Sequence, residues 1–375
     1  MKIKKLILTN FRNYEHESVE FSDNTNMIVG KNAQGKTNLI EPIYLISTFK
    51  SFRNSKLSDC IREGEERAII EAVVDSSIFG TRTVKFTINE TGENEFEVNG
   101  NKITLKREML GQVYSVVFSP DELKLVKGGP EVRREFLDVD ISQVSRTYHK
   151  LLERYEEILS NRNKLLKSAP FVKNINFELD VWDTQLSVVG SQITMSRKNF
   201  IEKINKKIDH VMDFISKGKE KLRVKYLGVK GSTREEMTDR FYNQLLENRS
   251  RDKELGYTSC GPHRDELKFF INDKEVKPFA SQGQQRSVVL ALKLAELETI
   301  KEEKESPILL LDDVFSELDS SRQEMLLKYL ENEQVFITST FSKVKNLTEF
   351  KKIRVVEGKT KPANTTKQKK TRKIK

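Results

Sequence analysis

The residues best suited to chemistry are Gly30-Lys31-Asn32-Ala33-Gln34-Gly35-Lys36-Thr37. They fit G-x-x-x-x-G-K-[ST], a loop whose backbone N–H groups wrap phosphate oxygens. Lys36 supplies a point charge for the β- and γ-phosphates, and the Thr37 hydroxyl is suited to hold Mg²⁺. A second cluster is Pro307-Ile308-Leu309-Leu310-Leu311-Asp312-Asp313, an apolar run that ends in two acids. Asp312 suits the metal and Asp313 suits polarising a water for attack on a γ-phosphate. A third is Phe279-Ala280-Ser281-Gln282-Gly283-Gln284-Gln285-Arg286, a polar turn that opens a helix and so offers another anion site. One nucleotide does not need two such loops. The economical account is that Ser281, Gly283 and Gln284 reach nucleotide held by a second copy of the chain.

The elements that must position these groups follow from the flanks. Asn26–Val29 is an apolar run that reads as a buried strand, and Asn38–Thr48 carries helical spacing through Leu39, Ile43 and Ile46. Strand, loop, helix is the context the phosphate loop requires. Residues 2–9 read as a strand continuing toward Asn10-Phe11-Arg12-Asn13-Tyr14, with a second strand over Ser18–Phe21. Arg12 then stands at a strand end, where it reads either as a nucleotide contact or as a surface arginine. Phe49-Lys50-Ser51-Phe52-Arg53 reads first as a packed loop and second as a nucleic-acid contact. Residues 67–75, 81–89 and 94–98 alternate as strands, and Asn99-Gly100 is a hairpin turn. Val113–Phe118 reads as a buried strand, with Gln112 just before it.

Beyond Gly128-Gly129-Pro130 the pattern is helical. From about Ser142 to Lys167 an apolar seam runs through Tyr148, Leu151, Leu152, Tyr155, Ile158 and Leu159. After Ala169-Pro170 a second long helix runs from about Phe177 to Ile215, so the two form an antiparallel hairpin. Arg162, Lys164, Lys167, Lys173, Arg197 and Lys198 read as a solvated face, with DNA contact as the alternative. Leu222–Tyr226 reads as a strand returning to the main body, 234–249 as a helix and 269–274 as a hairpin. His263 has no second His or Cys nearby and reads as structural.

Composition bounds the class. The chain has 375 residues, 37% hydrophobic and 33% charged, and no run approaches the roughly 20 apolar residues of a membrane span. No secretory leader pattern follows Met1, and two distant cysteines, Cys60 and Cys260, suit a reducing cytoplasm. Net charge is +10, of which residues 359–375 carry eight, leaving the body near +2. That tail is expected to be disordered, serving nucleic-acid contact or solubility.

Together the phosphate loop, the Ser281–Gln285 signature, Asp312-Asp313 and Ser316-Glu317-Leu318-Asp319 resemble the head of an ABC-type ATPase. The helical hairpin resembles a shortened SMC coiled coil. Closer still, Asn10–Tyr14, Gly30–Asn38, Gly261-Pro262-His263-Arg264-Asp265, Phe279–Arg286 and Leu310–Asp319 resemble the RecF family of bacterial recombination proteins, from about residue 2 to 357. The fold this implies is α/β: an ABC-type P-loop ATPase head of mixed and antiparallel sheets with helices, carrying an inserted antiparallel helical-hairpin domain. Its expected divisions are head 1–140, arm 141–250, head 251–358 and tail 359–375.

The resemblance implies a cytoplasmic, weakly active, DNA-stimulated ATPase of DNA repair, replication and the SOS response, in which ATP and Mg²⁺ drive a homodimer that clamps DNA. It also implies RecR- and RecO-like partners and RecA loading at gaps, and it favours Arg12 as a nucleotide contact. Duplex, single strand and junction stay open as the preferred DNA. Asp313 stands where many ABC ATPases have Glu, so turnover is expected to be slow. No histidine follows Val335–Thr340, and no glutamine occupies a Q-loop position, since Gln112 precedes its strand. The rival readings are a transporter's nucleotide-binding subunit and a scaffold that needs ATP only to fold.

Overall fold

The computed structural model describes residues 1–53, 55–340 and 349–363. Two compact units result, one of residues 1–122 with 290–375, the other of residues 123–289.

The first unit is built on two sheets. One has the strand order Lys359–Ala363, Lys351–Val356, Thr25–Val29, Val335–Ser339, Ile308–Asp312, Ser115–Phe118. Its last five strands run parallel, and only the edge strand Lys359–Ala363 is antiparallel. Ile308–Asp312, Val335–Ser339 and Ser115–Phe118 are buried at every residue, as expected of parallel strands covered on both faces. The other sheet is antiparallel, in the order Tyr14–Glu20, Lys2–Phe11, Arg67–Ser76, Gly80–Asn89, Glu95–Val98, Asn101–Ile103. Its alternating burial, as in Arg67–Ser76, follows from one face meeting the core. Asn99 and Gly100 both have positive φ, the turn their sequence predicted.

The second unit contains the helices Pro130–Val144, Arg146–Lys167, Ile175–Ser216 and Arg234–Leu255. Ile175–Ser216 has 42 residues, about 60 Å of helix. The expected seam is real: Tyr148, Tyr155 and Ile158 meet a stripe of Leu179, Leu186, Ile193, Phe200, Ile204 and Ile208, all buried. The first arm helix begins at Arg146 rather than Ser142, because the Ser145 hydroxyl caps it by accepting from Tyr148 N.

Four expectations change. Leu222–Leu227 does not return to the main sheet. It pairs with Glu266–Ile271, which pairs with Lys274–Glu275, in a small sheet inside the second unit. The compact units divide at 122/123 and 289/290, not at 140/141 and 250/251, since Arg133 binds Glu266 at 2.7 and 2.9 Å and joins Pro130–Val144 to that small sheet. The tail does not begin at 359: Lys359–Ala363 is an edge strand, where Pro362 is tolerated. Residues 364–375 of that tail lie outside the described residues.

The fourth concerns Arg162 and Arg197, which are not on a solvated face. Arg162 is fully buried, with Nε 2.6 Å from Asp183 and Nη1 2.8 Å from both Asp252 and Thr258. Arg197 binds Asp138, the Tyr148 hydroxyl and the Pro262 carbonyl. Acids on neighbouring elements, invisible to helical spacing, draw both inward. Lys164, Lys167 and Lys173 are exposed as expected.

Candidate nucleotide site

The site is assembled in the first unit, at the C-terminal ends of three adjacent parallel strands, the usual place for a ligand in such a sheet. Thr25–Val29 runs into the loop Gly30–Gly35, and the helix Lys36–Thr48 starts immediately after. Two glycines make the loop's path possible. A Cβ on Gly30 would lie 2.5 Å from the Val355 carbonyl oxygen, and one on Gly35, at φ 109°, would lie 2.7 Å from Asn13 Nδ2. The helix has no side-chain cap at Gly35 and no acid in its first turn. Among the described residues no side chain caps its first N–H groups, so they and the helix's positive end offer a cradle for an anion.

The loop is braced from two sides. The Gln34 carbonyl accepts from Asn13 Nδ2 at 3.2 Å and from Gly358 N at 3.1 Å, and Gln34 Oε1 accepts from Glu357 N at 2.9 Å. The Tyr14 hydroxyl donates to the Gly35 carbonyl at 2.9 Å. Asn38 Nδ2 donates to Asn13 Oδ1, and Arg53 Nη1 donates to Asn38 Oδ1, both at 2.8 Å. Lys31, Asn32 and Ala33 stay exposed at the loop's tip.

Lys36 is buried and its ammonium donates to the Lys31 carbonyl at 2.9 Å. Burial pulls it below the ordinary lysine range, against the opposing pull of Asp313 and Asp312. Asp312 closes the floor. Its Oδ1 accepts from the Thr37 hydroxyl at 2.8 Å and from the Thr338 hydroxyl at 2.7 Å. Burial raises its pKa above the usual carboxylate range, and the Thr338 and Thr37 hydroxyls partly offset this. Asp313 follows in the left-handed region, φ 52°, at a cost of about 1 kcal/mol, with its N–H donating to Thr338 Oγ1 at 2.9 Å.

The donor set fits Mg²⁺. A hydroxyl and a carboxylate oxygen sit 2.8 Å apart beside a phosphate cradle, and Mg²⁺ is commonly held by one or two such protein oxygens with the phosphates supplying more. Among the described residues no cluster of three His, Cys, Asp or Glu forms an all-protein metal cage.

Arg12 has its guanidinium taken up nearby. Nε and Nη2 bind the buried Glu41 at 3.0 and 2.7 Å, Nη1 reaches the Asp59 carbonyl, and Nη2 also reaches Ser55. It thus anchors the turn that carries Asn13 to the side of the phosphate-loop helix. Gln112 is also engaged elsewhere, accepting from Arg82 at 2.7 Å.

Ser281, Gly283 and Gln284 lie in the second unit, not beside Gly30–Thr37 in sequence or in compact unit. Ser281 Oγ accepts from Gln284 N at 3.3 Å and Gln284 Oε1 accepts from Ser281 N at 2.9 Å, a reciprocal capping box at the start of Gln282–Glu303. Ser281, Gln282 and Phe279 are exposed. His263 is confirmed as structural by its partners: Nδ1 lies 2.8 Å from the Tyr155 hydroxyl and Nε2 lies 3.0 Å from the Thr258 carbonyl. Burial pushes it down to about 4, so it is neutral at pH 7.

Asn13 stood in the Asn10–Tyr14 motif with no contact assigned to it, while the parts played by Thr338 and the Glu357-Gly358 turn escaped the sequence reading. The signal for Thr338 is strand pairing, which sets it directly beside Asp312.

The RecF/RecN/SMC N terminal domain family matches residues 2–361. The chain is 42% identical to the DNA replication and repair protein RecF of Alkaliphilus oremlandii, over 91% of this chain and 93% of that one. It superposes with a TM-score of 0.91 and 36% identity on a structure described as the recombination mediator protein RecF-ATP in the RecFOR pathway, covering 96% and 97% of the two chains. An Smc head domain from Pyrococcus furiosus shares the fold at a TM-score of 0.56 and 16% identity, covering 96% and 95%. With a family match over nearly the whole chain and full-length relatives at this identity, the chain belongs to the RecF family of SMC-like, ABC-type ATPases.

Proposed function

We propose that this chain is an ATP-gated DNA-binding protein of bacterial recombinational repair and replication, an ATPase whose turnover resets a binding switch. The observation that carries the reading is the Thr37–Asp312 contact beneath an uncapped helix N-terminus and a glycine-shaped loop. Such a floor serves a nucleoside triphosphate, and a relative solved with ATP supports ATP as the ligand. Gly30 to Thr37 line the phosphates, with Lys31, Asn32, Ala33 and Gln34 contributing backbone. Thr37 and Asp312 would hold Mg²⁺, whose charge would offset that building on the β- and γ-phosphate oxygens. Arg12 takes part by fixing the loop's flank through Glu41.

Asp313 is the water-positioning acid. Its carboxylate accepts a proton from the attacking water, and its short side chain makes that step slow. The Ser281–Gln284 turn of a second copy closes over the γ-phosphate, supported by its exposure and rigid capping box. Closure joins two copies into a groove for DNA, with affinity that falls as salt rises. The relative solved with ATP in the RecFOR pathway supports RecR- and RecO-like partners; RecA loading at gaps, a role in the SOS response and a cytoplasmic setting complete the proposal on the family resemblance alone. No helix among the described residues is long and apolar enough to cross a membrane.

Asp313→Asn tests the switch. It should keep ATP-dependent dimers, slow their decay and lower turnover about a hundredfold. Hydrolysis at the wild-type rate would remove Asp313 from the assigned role.

A further inference from the structure

The strand after the two acids ends in a residue that no motif assigns. Thr338 is almost fully buried and is the direct lateral partner of Asp312 in the parallel sheet. Partners in register point to the same face, so its side chain and the Asp312 carboxylate project together from the strand ends. Its one hydroxyl is used twice. The O–H donates to Asp312 Oδ1 at 2.7 Å, and the same oxygen accepts from Asp313 N at 2.9 Å.

Each bond does something different. The first fixes the Asp312 carboxylate in the plane where Oδ1 also meets the Thr37 hydroxyl. The second ties down a backbone that has turned into the left-handed region at Asp313. That backbone direction sets where the Asp313 side chain leaves the strand. A β-branched residue suits the strand, and among these only Thr supplies an atom that donates and accepts at once.

We infer that Thr338 is the positioning residue of the nucleotide site: its hydroxyl holds the metal-side acid Asp312 and the water-side acid Asp313 in one fixed relation. The inference rests on the ATPase reading above and assigns a role within it. Thr338 is almost fully buried and its hydroxyl is engaged by the two acids. It acts through the two acids, so its loss affects turnover and metal dependence more than nucleotide capture, which belongs to Gly30–Thr37.

The test compares wild type, Thr338→Val and Thr338→Ser. Valine keeps the shape and the β-branch and removes both hydrogen bonds; serine keeps the hydroxyl. Turnover is measured at saturating ATP, together with calorimetric ATP binding across a Mg²⁺ titration and the thermal midpoint. For Thr338→Val, kcat should fall about tenfold or more while KM for ATP changes less than about threefold. The Mg²⁺ concentration giving half-maximal ATP binding should rise about threefold or more. Thr338→Ser should recover most of both. A role confined to packing predicts the opposite order, with Val closer to wild type than Ser. The inference is overturned if Thr338→Val turns over and responds to Mg²⁺ as wild type does, or if Thr338→Ser is as impaired as Thr338→Val. Should the valine chain fail to fold, the serine chain still decides: near-wild-type values on both readouts support the inference, and impairment refutes it. A wild-type chain that binds no ATP sinks the underlying reading instead, a result distinct from an active wild type with an equally active Thr338→Val.

Discussion

Buried charge is used in two opposite ways in this molecule. In the arm unit, Arg162 spends Nε and Nη1 on Asp183, Asp252 and Thr258, leaving only Nη2 without a partner. Arg249 adds further bonds to Asp183 and Asp180. In the head unit, Lys36 is buried with one carbonyl as its bond, and Asp312 is buried with two hydroxyls and no cation. The first set is neutralised by its own partners, which makes it structural. The second set carries charge in a low-dielectric place with no direct ion pair, since Lys36 feels Asp313 and Asp312 only at a distance, and that unspent capacity is what a phosphate with its metal would complete.

The contrast can be broken by mutation, and the largest effect is expected in the arm. Arg162→Ala leaves the buried Asp252 without its cation and Asp183 with Arg249 alone, and should cost about 3–5 kcal/mol of stability, read by urea denaturation. A loss below about 1 kcal/mol would mean that the network is not structural. Lys36→Ala should do the reverse. It removes a cation whose burial is unfavourable, so stability should change by less than about 1 kcal/mol while ATP affinity falls about a hundredfold by calorimetry. Equal ATP affinity would place the phosphates elsewhere.

A smaller effect sharpens the comparison through pH. His263 is depressed to about 4 by burial, whereas an unfolded histidine titrates near 6.5. The unfolded chain therefore binds the proton more readily, and this group's stabilising contribution is present above about pH 6.5 and lost as pH falls toward about 4. Asp265, two residues on, is raised to about 6 by burial, against hydrogen bonds from Tyr226 and Thr194. Its contribution runs the other way, because the folded state keeps its proton longer as pH rises. The two largely offset. His263→Gln should thus gain stability relative to wild type as pH falls from 6.5 to 4, in paired denaturation curves. A constant difference across that window would rule out the buried neutral histidine. Smallest of all, Lys164→Ala, at an exposed position of the arm, should leave the denaturation midpoint in place.

The sequence showed best what is local. Gly30–Thr37 and the run into Asp312 were legible because each packs its chemistry into a few consecutive residues beside an apolar strand. The helical arm was legible because its seam repeats at helical spacing over many turns. What was illegible depends on which elements become neighbours. Thr338 matters only because its strand lies between those of the loop and of Asp312. The Glu357-Gly358 turn matters only because Lys351–Val356 runs beside Thr25–Val29, bringing its amides to Gln34. Arg162 and Arg197 were misread because their partners sit 21 to 96 residues away. The edge strand at Lys359 was hidden by its charge, which edge strands tolerate.

The central claim is that ATP held by Lys36, Thr37 and Asp312 closes two copies of the chain on DNA. Sedimentation with fluorescent duplex, gapped and single-stranded DNA, with and without ATP and Mg²⁺, tests it most directly, with Ser281→Arg alongside wild type. The account predicts dimers that retain DNA only when ATP is present, and loss of both in Ser281→Arg, whose own phosphate loop is intact. A chain that stays monomeric with ATP and binds DNA equally well without it would contradict the account.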